Sequence, residues 1–300
     1  CPMTTRNLTR RRLLASSGCS LAALAASPAL RAVLAAAKDA PGAPKFKIGA
    51  CDWSIGNTQK PEAFAVAKEI GLDGVEVSFG QPGSANDLRD PAVRATYQET
   101  CKTTGLEIAS LAMGLLNSIP YASDPRTEQW VADVVEVMPK LGVKRCLLAF
   151  FGNGDIKGDR AKQDEVIRRL KKVAPQAEQA GVVLGIESWM NADDHLRILD
   201  GVGSPAIQVY YDVCNMTDQG YDICKEIRQL GKDRICQIHI KENGFLIGQG
   251  KVNLPPVRDA IADIGYRGWL IIEGATIPGK TLVECYQHNR KYLRSLFPAG

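Results

Sequence analysis

From residue 46 onward the chain repeats one unit eight times: a short β-rich apolar run, then a segment of helical period. The strand candidates are Phe46–Trp53, Gly74–Phe79, Leu106–Met113, Val143–Phe150, Val182–Glu187, Ile207–Asp212, Arg234–Ile240 and Trp269–Glu273. Helices are predicted near 61–71, 91–104, 127–141, 161–180, 193–200, 221–231, 255–264 and 280–295. In the fourth, Val166, Ile167, Leu170, Val173, Ala174 and Ala177 follow the i, i+3, i+4, i+7 rule, and Pro175 is expected to bend or shorten it. Gly71, Gly105, Gly142, Gly181 and Gly265 stand where helices hand over to strands, the place where glycine is favoured. Eight such β-then-α units predict a (β/α)8 TIM barrel over residues 46–300. The competing arrangement is an open, doubly wound sheet. No Gly-x-Gly-x-x-Gly turn follows the first strand and there is no Walker phosphate loop, so a nucleotide site has no support.

The stretch before the barrel reads differently. Residues 1–37 hold Arg6, Arg10, Arg11, Arg12 and Arg31 and no acid. Thr9-Arg10-Arg11-Arg12-Leu13-Leu14 opens an uncharged Ala/Leu/Ser run, and Ala35-Ala36-Ala37 offers a small-residue cleavage site. That order predicts a twin-arginine signal peptide over 1–37, with Met3 as the start, followed by a linker over 38–45. The expected destination is periplasmic or extracellular. A retained leader would anchor the chain instead, but the run is Ala-rich and broken by Pro28 and Arg31, which disfavours stable insertion. Cys19 comes too early for a lipoprotein site. Setting the five leader arginines aside leaves 32 basic against 33 acidic residues, a net of −1. A near-neutral body argues against nucleic acid as a partner. The seven cysteines after Ala37 include no Cys-x-x-Cys pair and are expected to be free thiols.

TIM barrels carry their chemistry at the C-terminal ends of the strands. Strands five to eight end in Glu187, in Asp212, in the His239 region and in Glu273. Charges ending apolar strands are costly unless paired or metal-bound, and three converging carboxylates repel without a cation. Three oxygens and one nitrogen suit one divalent ion, Mn²⁺ first, with Mg²⁺, Co²⁺ or Zn²⁺ as alternatives.

These residues bring the chain to a known group. It resembles the xylose isomerase-like TIM barrels of the sugar phosphate isomerase/epimerase superfamily, with its ketose 3-epimerases, hydroxypyruvate isomerases and inosose dehydratases. The resemblance spans residues 46–295. It rests on Gly181-Val182-Val183-Leu184-Gly185-Ile186-Glu187, Tyr211-Asp212-Val213-Cys214-Asn215, Ile238-His239-Ile240-Lys241-Glu242-Asn243, and Gly248-Gln249-Gly250-Lys251-Val252-Asn253 running on to Gly265-Tyr266-Arg267-Gly268-Trp269-Leu270-Ile271-Ile272-Glu273. It implies that Glu187, Asp212, His239 and Glu273 hold the metal and that Glu187 and Glu273 are the catalytic acid and base. The implied reaction is isomerisation or epimerisation of a small carbohydrate through an enediolate. Two positions depart from the ketose epimerases: Asn215 stands where His is frequent, and Phe245 where those enzymes have Arg. Homo-oligomers are common in the group, and no residue here marks an interface.

Further substrate-binding candidates are Trp53, Glu76, Asn215, Lys241 and Glu242, with Trp189 beside Glu187. Lys241 and Glu242 are alternatively a solvated pair or a support for His239. His195 and His288 read as structural or surface residues. Residues 151–160 are expected to form a lid, in which Lys157 and Arg160 offer charge for a phosphate. Two other activities fit the same metal site: a keto-sugar lyase or dehydratase, and a non-catalytic sugar-binding protein. A metal-dependent nuclease is disfavoured by the three histidines of the chain.

Overall fold

The structure, a computed structural model, describes residues 46–299. The leader at 1–37 and the linker at 38–45 lie outside the described residues. Eight parallel strands form a closed barrel: β1 (Lys47–Cys51), β2 (Gly74–Ser78), β3 (Glu107–Met113), β4 (Arg145–Phe150), β5 (Val183–Ser188), β6 (Ile207–Asp212), β7 (Ile235–Ile240) and β8 (Trp269–Ile272). The pairing of β8 with β1, from Lys47 opposite Trp269 to Ala50 opposite Ile272, excludes the open sheet.

The helices are α1 (Ala63–Ile70), α2 (Pro91–Thr104), α3 (Arg126–Lys140), α4 (Arg160–Ala180), α5 (Ala192–Val202), α6 (Val213–Asp218), α7 (Ile223–Leu230), α8 (Leu254–Asp263) and α9 (Leu282–Leu296). Period-two alternation in the strands builds two layers. Outward residues such as Ile48, Val75, Leu184, Ile186, Ile238 and Leu270 join the main core beneath the helices. Inward residues such as Cys51, Ala112, Leu147, Tyr210 and Ile271 fill the barrel lumen.

Two local expectations need correction. Pro175 does not shorten α4, which runs unbroken from Arg160 to Ala180; buried Val173, Ala174 and Ala177 flank the proline and hold the helix across its missing N–H. The short helix α6, absent from the expected set, begins directly after Asp212. Its two first free N–H groups, on Cys214 and Asn215, donate to Asp212 Oδ1 at 2.8 and 2.7 Å. The seven cysteines after Ala37 are free. Among the described residues, no helix is long and apolar enough to cross a membrane.

Candidate active site

Parity places Glu187, Asp212, His239 and Glu273 on the lumen side of four successive strands at their C-terminal ends. One ligand-type atom from each lies within 4.8 Å of the others. His239 Nδ1 stands 2.9 Å from Glu187 Oε1, 3.6 Å from Glu273 Oε2 and 3.9 Å from Asp212 Oδ2. Lys241 leans into the same cluster, with Nζ 2.8 Å from Glu273 Oε2 and 3.1 Å from Asp212 Oδ2. The Trp53 indole N–H donates to Glu273 Oε1 at 3.0 Å.

The charges are strongly perturbed. Burial pushes the Glu187 carboxyl up, and His239 only partly offsets it. Burial likewise raises Asp212. Glu273 goes the other way: burial would raise it, but His239, Lys241 and the Trp53 hydrogen bond hold it below the usual carboxylate range. Burial would lower Lys241, and Asp212, Glu273 and Glu187 raise it instead. For His239, burial is outweighed by Cys51, Glu187, Glu76 and Glu273, which lift the imidazole well above its ordinary value.

The cluster fits a divalent ion. Asp212 Oδ1 is consumed in capping α6, while Oδ2, buried and turned into the cluster, accepts no hydrogen bond from the described residues and has only the Lys241 ammonium, 3.1 Å away, as a charged neighbour besides His239. With the imidazole neutral, as a metal ligand must be, three carboxylates meet one ammonium, and the deficit of two matches one divalent cation. Glu187, Asp212, His239 and Glu273 would hold it, a borderline-hard donor set.

Above the cluster opens a cavity of about 570 Å³. Trp53, Phe79, Leu115, Phe151 and Trp189 form apolar wall, and Gln59, Gln81, Asn117 and Asn215 supply amides. Glu187, Lys241 and Glu273 reach it from the cluster. Of the expected substrate residues, Trp53, Asn215 and Lys241 therefore line the cavity.

Glu76 and Glu242 do not. Glu76 is fully buried beneath His239, because its place in the middle of β2 sets it deeper in the lumen than the strand ends. Glu242 turns away, accepting from the backbone N–H groups of Lys251 at 3.0 Å and Val252 at 3.1 Å. It clamps the loop after β7, and Gly250 makes room: a Cβ there would stand 2.1 Å from Glu242 Oε2. Nor does the 151–160 loop bring charge to the cavity. Arg160 pairs with Asp194 at 2.9 Å and Lys157 lies over the Tyr221 ring at 5.4 Å, while Phe151 at the loop's start does line the cavity. Phe245 is 46% exposed and is not part of the cavity wall. His195 is structural: its Nδ1 donates to Asn191 O and its Nε2 accepts from Ser188 Oγ, both at 3.0 Å.

The family profile described as xylose isomerase-like TIM barrel matches residues 64–296. The chain belongs to the xylose isomerase-like TIM barrel family. A 2-epi-5-epi-valiolone 7-phosphate 2-epimerase from an Actinoplanes species is 26% identical over 200 residues, covering 65% of this chain and 72% of that relative. A D-psicose 3-epimerase from Enterocloster bolteae is 27% identical over 139 residues, covering 43% of this chain and 45% of its own. Among solved structures, a D-psicose 3-epimerase from Clostridium cellulolyticum H10, determined with D-tagatose, superposes with a TM-score of 0.70 at 17% identity, covering 84% of this chain and 99% of that one. That superposition speaks for the shared fold.

Some site residues of this family member escaped the sequence reading. Phe79 directly follows β2, and Leu115 and Asn117 lie in a short 3-10 turn after β3, with no charge to flag them. Ser110, Tyr210 and Gln237 form a polar layer in the lumen. The last two carried a signal: each sits two residues before a metal-ligand candidate on its strand and so shares its face.

Proposed function

We propose that the protein is a divalent-metal-dependent sugar isomerase or epimerase acting on an uncharged carbohydrate. The carrying observation is the convergence of Glu187, Asp212, His239 and Glu273 at the floor of a sugar-sized cavity into which both glutamates open. Names of the relatives, epimerases of sugars and sugar-like substrates, support the same reading.

A bound divalent ion would supply Lewis-acid stabilisation for the charge that develops on a carbonyl oxygen when the neighbouring carbon loses its proton. The chain's residues do the rest. Glu187 and Glu273 are placed to move that proton at their Oε atoms. Their environments differ even without the ion: burial raises Glu187, while His239, Lys241 and the Trp53 hydrogen bond hold Glu273 down. Lys241 and Trp53 hold Glu273 in one orientation. The aromatic wall packs against the C–H face of a sugar, and the Asn215 amide and Asn117 Nδ2 are available to hydroxyls, whereas Gln59 Nε2 is spent on Ser84 and Asn86.

Among the described residues that line the cavity, Lys241 is the sole Lys or Arg, and Asp212 and Glu273 already engage it. No second cation is left there for a phosphate, which supports an unphosphorylated substrate.

The test is solvent deuterium incorporation into a panel of neutral keto-sugars by Mn²⁺-loaded protein. Glu187→Gln and Glu273→Gln should each lower exchange by about 10²–10⁴-fold, with sugar affinity changed far less. Exchange that survives both substitutions would refute the acid/base assignment. Sugar binding with no exchange by the wild type would favour a binding protein, and product loss of a hydroxyl or glycosyl group would favour a lyase.

A further inference from the structure

We propose that Glu76 is a positioning residue: by accepting from His239 Nε2–H it fixes which imidazole nitrogen faces the Glu187, Asp212 and Glu273 carboxylates, and so sets how tightly that cluster holds a divalent ion. The proposal rests on the metal reading above and adds a residue that never touches the ion.

Glu76 has no exposed surface, and its carboxylate meets donors on every side. Oε1 lies 2.9 Å from His239 Nε2; the Cys51 thiol lies 3.6 Å from Oε1 and 3.5 Å from that same Nε2, and with a proton on Nε2 it can donate only to Oε1. Oε2 accepts from Ser110 Oγ and, at 2.6 Å, from the Tyr210 hydroxyl. Four donors fill the four lone-pair directions of a carboxylate.

The next layer fixes the direction of these bonds. The Gln237 amide nitrogen donates to Ser110 Oγ at 2.8 Å and to the Tyr210 hydroxyl oxygen at 2.9 Å. Both hydroxyls therefore accept from Gln237 and give their own protons to Glu76. The Gln237 amide oxygen is left without a partner, so the reverse orientation gains nothing from Ser110 or Tyr210 that they can give without abandoning Glu76. With its other oxygen supplied from below, Glu76 stands as acceptor toward Nε2, and Nε2 must carry a proton. Nδ1, 2.9 Å from Glu187 Oε1 on the opposite side of the ring, is then the nitrogen whose proton a bound ion would displace, leaving its lone pair toward the cluster.

Cys51, Glu76 and His239 also bring ligand-type atoms within 4.8 Å of one another. All three are sealed from solvent, and the Glu76 lone pairs there are already taken, so the geometry assigns the trio a supporting role. A carboxylate behind a ligating histidine fixes its tautomer and strengthens it as a ligand; removing one such partner typically costs 10–100-fold in metal affinity.

Glu76→Gln tests this in the full chain. Its amide nitrogen would face either His239 Nε2–H or the two hydroxyls, and one set of bonds must break. The Mn²⁺ dissociation constant measured by titration calorimetry should rise about 10–100-fold. In ¹⁵N-histidine-labelled, Zn²⁺-loaded wild type, His239 should show a slowly exchanging Nε2–H, assigned by its absence in His239→Asn and lost or shifted in Glu76→Gln. A well-folded Glu76→Gln protein that holds Mn²⁺ within about twofold of wild type would overturn the proposal. So would a wild-type spectrum with the proton on Nδ1. Should Glu76→Gln fail to fold, Tyr210→Phe removes one donor from Glu76 and should weaken Mn²⁺ binding by a smaller factor, and an unchanged affinity there counts against the proposal. Absence of any Mn²⁺ or Zn²⁺ binding by wild type would instead defeat the metal reading, while the Nε2–H of the metal-free protein still reports the bond to Glu76.

Discussion

Asp52 shows how a buried charge is used to join two loops at the rim. It follows β1, fully buried, and its Oδ2 accepts from the backbone N–H groups of Gln59 at 2.9 Å and Ser78 at 2.8 Å. Oδ1 accepts from Ser78 Oγ at 2.6 Å. Burial nonetheless wins and pushes the carboxyl from 3.8 up to about 6, against those hydrogen bonds. The folded value exceeds the unfolded one, so the stability this group lends is complete below about pH 3.8 and is lost as pH rises through about 6. The loss amounts to about 3 kcal/mol. Asp52→Asn keeps the geometry, with an amide oxygen for the two N–H groups and an amide nitrogen for Ser78 Oγ. The variant should therefore gain stability over wild type as pH climbs from 5 to 7.5 in paired thermal melts; a constant difference would contradict this. His195 has the opposite sign. Burial lowers it from 6.5 to about 4, so its stability is present above about pH 6.5 and is lost as pH falls through about 4. His195→Gln should flatten the acid limb of the melting curve relative to wild type. At this scale the sequence revealed which residues face the lumen, because alternation alone decides that. It did not reveal depth. Glu76 and Glu187 have the same parity, yet one lies mid-strand and the other near a strand end, and strand tilt and stagger decide which reaches the cavity. Glu242 was illegible for a different reason: its partners, Lys251 N and Val252 N, lie nine and ten residues on, in a loop whose path no period announces.

Among the elements, β5 leaves room in the lumen for Tyr210 of β6 through Gly185. A Cβ on Gly185 would stand 2.5 Å from Cys236 Sγ and 3.0 Å from Tyr210 Cβ. Neither neighbour has free space, since both are almost completely buried. Gly185→Ala should destabilise by about 1–3 kcal/mol through overpacking. Paired with Cys236→Ala, which removes the nearer atom, the same change should cost less than half as much. Urea denaturation of the four proteins in that cycle measures the coupling, and strict additivity would mean that the clash is relieved elsewhere. The eight strands and eight of the helices were legible from the regular alternation of apolar β-rich runs with helical segments, helped by the glycines after α1, α2, α4 and α7. The exception, α6, has only six residues, too few for a period. Asp212 accounts for it: the aspartate that ends β6 also caps the turn that follows. Its two oxygens divide the work, one for the helix and one for the cluster, a dual role that residue type alone could not assign.

For the whole molecule, the candidate metal centre is a cross-link. Its four ligand groups come from the ends of β5, β6 and β7 and from the residue after β8, so a bound ion would tie half the barrel rim together. Anything that binds only the folded state stabilises it by mass action, about 2.7 kcal/mol at a hundredfold excess over the dissociation constant. For a barrel of this size each kcal/mol moves the midpoint by about 2–4 °C, which gives about 5–10 °C for saturating Mn²⁺. Chelator should reverse the shift. The informative control is Asp212→Asn rather than Asp212→Ala. Its amide oxygen can still cap α6 through Cys214 N and Asn215 N, so the loop and helix stay intact while the ion loses a charged ligand. The variant should fold, should carry well under one equivalent of metal after loading and desalting, and should show a Mn²⁺-induced shift less than half that of wild type. An equal shift in both proteins would mean that Mn²⁺ acts elsewhere on the surface. No shift in either would remove the cross-link, and with it the source of the Lewis acid on which the proposed proton transfer depends.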